Sequence, residues 1–170
     1  MSDTTAVVPP TPSGVERDAD GRLVGLVVDG PLPFATAAGN SWLVAIDGSA
    51  HSLRAAAAAA RLAGQMPGCA LHLLNVEPWL SKEAAEHELA QRAWTTTAAA
   101  RALLDAGSHP WRLHVAMGET AERIVAVAQS TGCGGIVIGS HGLGAIESLL
   151  LGSVAAQVIR TSTVPVLVVR

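Results

Sequence analysis

The sequence predicts an α/β protein, a five-stranded parallel sheet of order 3-2-1-4-5 with helices on both faces, a three-layer sandwich. Three observations carry that expectation. Short apolar runs recur from residue 42 onward, each ending in a turn or a polar residue, as buried parallel strands do. Between them lie segments of helical spacing or strong helix formers, the unbroken alanines 55–60 above all. Right-handed crossovers leave few topologies, and a doubly wound sheet must reverse its winding between two neighbouring strands.

The elements follow in order. Trp42–Asp47 is the first strand, apolar until its last residue. After Gly48-Ser49 the alanine-rich segment forms a helix, with Gly64 suited to the position just past its end. Cys69–Val76 is the second strand. Pro78 opens a loop, and Lys82–Ala106 is expected as one long helix closed by Gly107. Trp111–Ala116 alternates as the third strand. Glu119–Ser130 is a helix with Ile124, Val127 and Ala128 on one face. Gly135–Gly139 is the fourth strand and Val164–Val169 the fifth. Helical spacing runs from Glu147 to Ser162, but a glycine inside a helix costs about 1 kcal/mol relative to alanine. The pattern is therefore divided: Glu147–Leu151 as a separate turn, and a last helix that begins at Gly152.

Residues 1–40 are expected to form an N-terminal extension, partly disordered, ahead of a domain over 41–170. Val7–Gly14 is proline-rich. Arg22–Asp29 reads as a short strand behind an Asp20-Gly21 turn signal, and either pairs with a sheet edge or drapes over the surface.

Composition excludes several classes. Hydrophobic residues make up 49% of the chain, yet no apolar run reaches membrane-spanning length. The N-terminus lacks a basic start followed by an apolar stretch, so no secretory signal and a cytoplasmic location are expected. Cys69 and Cys133 form no CxxC pair and read as core thiols of a reducing compartment. The net charge is −3, Lys82 is the single lysine, and no basic stripe exists to hold nucleic acid. The six histidines lack metal-ligand spacing. His72 and His114 lie within strands and are expected inside. No Gly-x-Ser-x-Gly elbow occurs, no GxxxxGK[ST] loop, and no GxGxxG after the first strand. The four tryptophans read as packing, with Trp79 best placed to act as a pocket lid.

Candidate chemistry gathers where the winding reverses. In the order 3-2-1-4-5, strands one and four are neighbours, so Asp47 and Gly139 end side by side at the carboxyl edge. Gly142 and Gly144 allow positive φ, so that successive N–H groups can converge on an anion. Gly152, Ser153 and Val154 offer the free N–H groups of a helix start, and Ser153 adds a hydroxyl. His141 either donates to a phosphate or is an exposed loop residue.

The complete spacing, Gly139-Ser-His-Gly142, nine residues, Gly152-Ser153, resembles the G-x2-G-x9-G-[ST] nucleotide-binding signature of the universal stress protein family, in its ATP-binding branch. The resemblance runs from Ser41 to Val169. It includes Val44-Ala-Ile-Asp47-Gly-Ser49, Leu73-Leu-Asn-Val76, Leu150-Leu-Gly152-Ser153-Val154 and Val164-Pro165-Val-Leu-Val. It implies a Rossmann-like fold of the adenine nucleotide alpha hydrolase type, ATP with Mg2+ as ligand, and a stress-response or signalling role. It also implies a nucleotide site. Asp47, flanked by Ala45 and Ser49, would lie against the adenosine or the metal–phosphate region, though a strand-end carboxylate also suits a helix cap. Val76 would offer its backbone to the adenine edge, and Ile138 and Gly139 would wall base and ribose. Gly142, Gly152, Ser153 and Val154 would hold phosphates, with Ser140 and His141 nearby. The chain departs from the family at one place. Members often carry proline soon after the glycine that follows strand three, whereas here Met117-Gly118-Glu119-Thr120 stands, with Thr120 to start the helix.

The sequence shows a binding apparatus and no catalytic one. Fast phosphoryl transfer uses fixed cations, and no arginine lies between Arg123 and Arg160. At most a weak ATPase is expected. The alternatives are an AMP- or cyclic-AMP-binding signalling module, and an interaction module without nucleotide. The fifth strand, 164–169, carries proline and no charge before Arg170, as an edge does. A homodimer covers that edge, or else the Leu23–Val28 segment does.

Overall fold

The computed structural model describes residues 8–35, 37, 39–143 and 151–170. The strands are β1 (Gly14–Arg17), β2 (Leu23–Asp29), β3 (Ser41–Ala45), β4 (Ala70–Glu77), β5 (Trp111–Met117), β6 (Gly135–Gly139) and β7 (Val166–Val169). The helices are α1 (Ala50–Gln65), α2 (Lys82–Thr96), α3 (Ala98–Ala106), α4 (Thr120–Ser130) and α5 (Ser153–Thr161).

The sheet corrects the expectation of five parallel strands. It has seven, in the order β1-β2-β5-β4-β3-β6-β7, and is mixed. The five strands from β3 onward pair in parallel with one another. β1 and β2 form an antiparallel hairpin, and β2 runs antiparallel to β5 from Gly25 opposite Ala116 to Asp29 opposite Arg112. The apolar content of β2 explains its place: Leu23, Val24, Leu26 and Val28 are all buried there. The Leu23–Val28 segment thus covers the β5 edge and leaves β7 at the opposite end of the sheet.

One core lies between the sheet and α1, α2 and α3, around Val44, Leu71, Leu73, Leu89 and Leu104. The other lies under α4 and α5, around Leu43, Leu74, Ile124, Ile136 and Val158.

Two helix boundaries differ from expectation. The long helix divides at Thr97, whose Oγ1 donates back to the Ala93 carbonyl (2.8 Å) at the end of a run of three threonines. Such back-bonding by β-branched residues loosens a helix. Helix α1 passes through Gly64 to Gln65, and Gly68, at φ +71°, takes the left-handed turn instead. The last helix begins just after Gly152, which occupies its N-cap position. The turn expected over 147–151 lies largely outside the described residues, as does Gly144. Among the described residues no helix is long and apolar enough to cross a membrane.

His72 and His114 sit on adjacent strands β4 and β5 and bond to each other, Nδ1 to Nε2, at 2.8 Å. Burial pushes the first down to about 3 and the second to about 4.

Candidate functional site

Strand β3 ends beside β4 and β6, at the reversal of winding. The Asn75 amide donates to the Ile46 carbonyl (3.0 Å) and fixes the chain just before Asp47. Gly48, at φ +82°, then turns it into α1. Ser49 caps that helix, its Oγ accepting the Ser52 N–H at 3.1 Å.

Asp47 ties two distant segments together. Its Oδ1 accepts the Ser49 N–H (2.9 Å), and its Oδ2 accepts the Leu143 N–H (3.1 Å) from the glycine loop after β6. Ser49, not Asp47, is the side chain that caps α1, while Asp47 ties the glycine loop to the strand end. The loop is pinned on its other side as well: the Ser140 N–H donates to the Val169 carbonyl and the Gly152 N–H to the Ser140 carbonyl, both at 2.7 Å.

These contacts frame a cavity of about 530 Å³, a volume suited to a small ligand. Of the residues singled out from sequence, Ala45, Asp47, Val76, Ile138, Gly139 and Ser140 line it, as do His141, Gly142, Gly152, Ser153 and Val154. Ser49 does not, because its side chain is spent on the α1 cap. Trp79 is no lid: it stands 56% exposed outside the lining, beside Gly118 and under the Arg22 guanidinium.

The glycines act differently from expectation. Gly142 does not adopt positive φ. It is small because a Cβ there would lie 2.7 Å from Asp47 Oδ2. Gly139 has the same kind of reason, since a Cβ would meet the His51 backbone at 2.8 Å. The Gly152 amide is already used, so the unpaired donors of the α5 start fall to Ser153, Val154 and Ala155, which all line the cavity. Among the described residues no side chain caps that helix.

Sequence reading missed several contributors. Leu74 and Ile124 add apolar wall, and Thr120 brings in the start of α4. His51 lies outside the lining, yet its Nδ1 stands 3.3 Å from Ser140 Oγ, and His141 Nδ1 stands 3.1 Å from the same oxygen. The two imidazole rings are 5.2 Å apart. Only the position of His51 in the first turn after Asp47 hinted at this meeting.

Chemically, one end of the cavity offers backbone donors and the positive end of a helix dipole. Its walls also carry apolar side chains, Leu74, Val76, Ile124 and Ile138. No lysine or arginine stands among the lining residues. Among the described residues no group of three or more histidine, cysteine, aspartate or glutamate side chains is arranged to hold a metal ion.

Fold and site together define a doubly wound α/β protein with a crevice at its switch point. Residues 41–170 match the Universal stress protein family, and the chain belongs to that family. It is similar to the universal stress protein encoded in the QAH/OAS sulfhydrylase 3′ region of Thermus aquaticus. The two are 36% identical over 137 residues, which span 75% of this chain and 96% of that relative. Protein MJ0577 of Methanocaldococcus jannaschii shares the fold, with a TM-score of 0.69 at 24% identity over 78% of this chain and 96% of that one. A universal stress protein solved in complex with cAMP matches with a TM-score of 0.64 at 25% identity, covering 79% of this chain and 99% of the other.

Proposed function

We propose that the cavity binds an adenine nucleotide, with ATP carrying Mg2+ as its main occupant, and that the protein serves stress response or signalling by holding it. One observation carries this reading: the Asp47–Leu143 bond draws the glycine loop against the strand end, beside the uncapped start of α5. Phosphates suit the donors of that helix start, and a flat base suits the apolar walls. Asp47 supplies a carboxylate whose two oxygens each accept one N–H and keep a lone pair. Magnesium is commonly held by one or two carboxylates together with phosphate oxygens, so these residues fit an ion that arrives with the nucleotide. Absence of lysine and arginine from the lining favours slow hydrolysis or none.

A second reading is cyclic AMP, favoured by the family member solved with that ligand. The homodimer belongs to the same proposal. Among the described residues strand β7 stands at an open edge of the sheet with Leu167 exposed, and Ile159 of α5 is exposed as well. Pairing of two such edges would cover them. A cytoplasmic location completes the reading.

Mass spectrometry of small molecules released from freshly purified protein tests the site. ATP, or another adenine nucleotide, is the expected finding. Calorimetric titration with ATP, AMP and cyclic AMP then ranks them, and failure of all three to bind contradicts the proposal.

A further inference from the structure

The lining hydroxyls are not equivalent. Ser52 Oγ donates to the Ser49 carbonyl at 3.0 Å, and Ser140 Oγ lies between two imidazoles. Thr120 and Ser153 are different. Each is the first residue of a helix, each lines the cavity, and neither hydroxyl has a hydrogen-bond partner among the described residues. The two helix starts follow different strand ends, since α4 follows β5 while α5 follows β6, and β4 and β3 lie between those strands.

We infer that Thr120 is a specificity-determining residue that reads the outer edge of the base, an inference that rests on the adenine-nucleotide reading above. With phosphates at the α5 start, the base extends toward Leu74, Val76 and Ile124. Those three side chains present only hydrocarbon there, and the Thr120 hydroxyl is the side-chain polar group the α4 start adds to it. The exocyclic amine of adenine is the polar group farthest from the ribose, and a threonine oxygen accepts its hydrogen. A site built to pair such a group rejects an analogue that lacks it.

Calorimetry on the full chain tests this with two ligands, ATP and purine riboside 5′-triphosphate, which lacks the amine. Thr120→Val keeps the side-chain shape and should weaken ATP binding about five- to tenfold, the worth of one neutral hydrogen bond. It should leave the amine-free analogue unchanged. Thr120→Ser retains the oxygen and should bind ATP like the unaltered chain. Equal loss for both ligands, or no loss for ATP, overturns the role of Thr120 while leaving nucleotide binding intact. An unaltered chain that takes up neither triphosphate overturns the reading and the inference together. Matching thermal melts of the variants show that any change belongs to the site.

Discussion

Gly142 stands so close to Asp47 that a methyl group on it would lie 2.7 Å from the carboxylate oxygen that accepts the Leu143 N–H. The glycine loop and the β3 strand end are therefore fitted to each other. Gly142→Ala should push them apart, lowering ATP affinity tenfold or more. The residue is exposed, so folding stability should change by less than about 1 kcal/mol. Calorimetry and thermal melts separate the two effects.

Asp47→Asn tests the same joint from the other side. Asparagine keeps one acceptor oxygen but turns an NH2 toward one of the two backbone donors that the carboxylate now satisfies. The expected loss is about 1–3 kcal/mol of local stability. Faster hydrogen exchange at the Leu143 amide would report it, and unchanged exchange at both Ser49 and Leu143 would contradict it.

The His72–His114 pair should make the fold acid-sensitive. Both groups titrate far lower when folded, about 3 and about 4, than the ordinary histidine value near 6.5, because burial disfavours their charged forms. The unfolded chain then binds more protons below pH 6.5, so stability is complete above that pH and drains as pH falls toward 4. The loss should reach up to about 2 kcal/mol per histidine between pH 7 and pH 5. Denaturant midpoints across that range measure it, and the double change His72→Leu, His114→Leu should flatten the slope.

Self-association should depend on β7 and not on the N-terminal hairpin. Leu167→Lys places a charge on the open edge and should convert the proposed dimer to monomer in sedimentation velocity. Removing residues 1–40 should leave the β7 dimer in place and expose the β5 edge instead, with lower stability from the lost burial of Leu23, Val24, Leu26 and Val28.

Much of this was legible in the sequence because local chemistry and global fold agree there. The misfit of Gly152 inside a helical pattern pointed to a helix start, and the structure has one there. Asp47 and the glycine loop were legible because each sits at the end of a plainly apolar strand. What stayed hidden depends on contacts between distant residues. Arg22–Asp29 fits an edge strand or a surface strap equally well until β5 is seen to accept it. The reason for glycine at 142 is a carboxylate 95 positions earlier, not a backbone angle. Ser49 entered the expected site through the resemblance of the Val44–Ser49 segment, whereas helix capping claims its side chain. Thr120 carries no local mark of the cavity it borders, and His51 only its place in the first turn after Asp47.

The most direct measurement is the affinity of the full chain for ATP, set beside that of its Gly142→Ala variant. A bound nucleotide at a hundredfold excess over its Kd should raise stability by about 2.7 kcal/mol and shift the melting transition visibly. That shift should shrink in the variant, whose own melting without ligand should match the unaltered protein. An unaltered chain whose melting is indifferent to ATP, AMP and cyclic AMP alike would contradict the account.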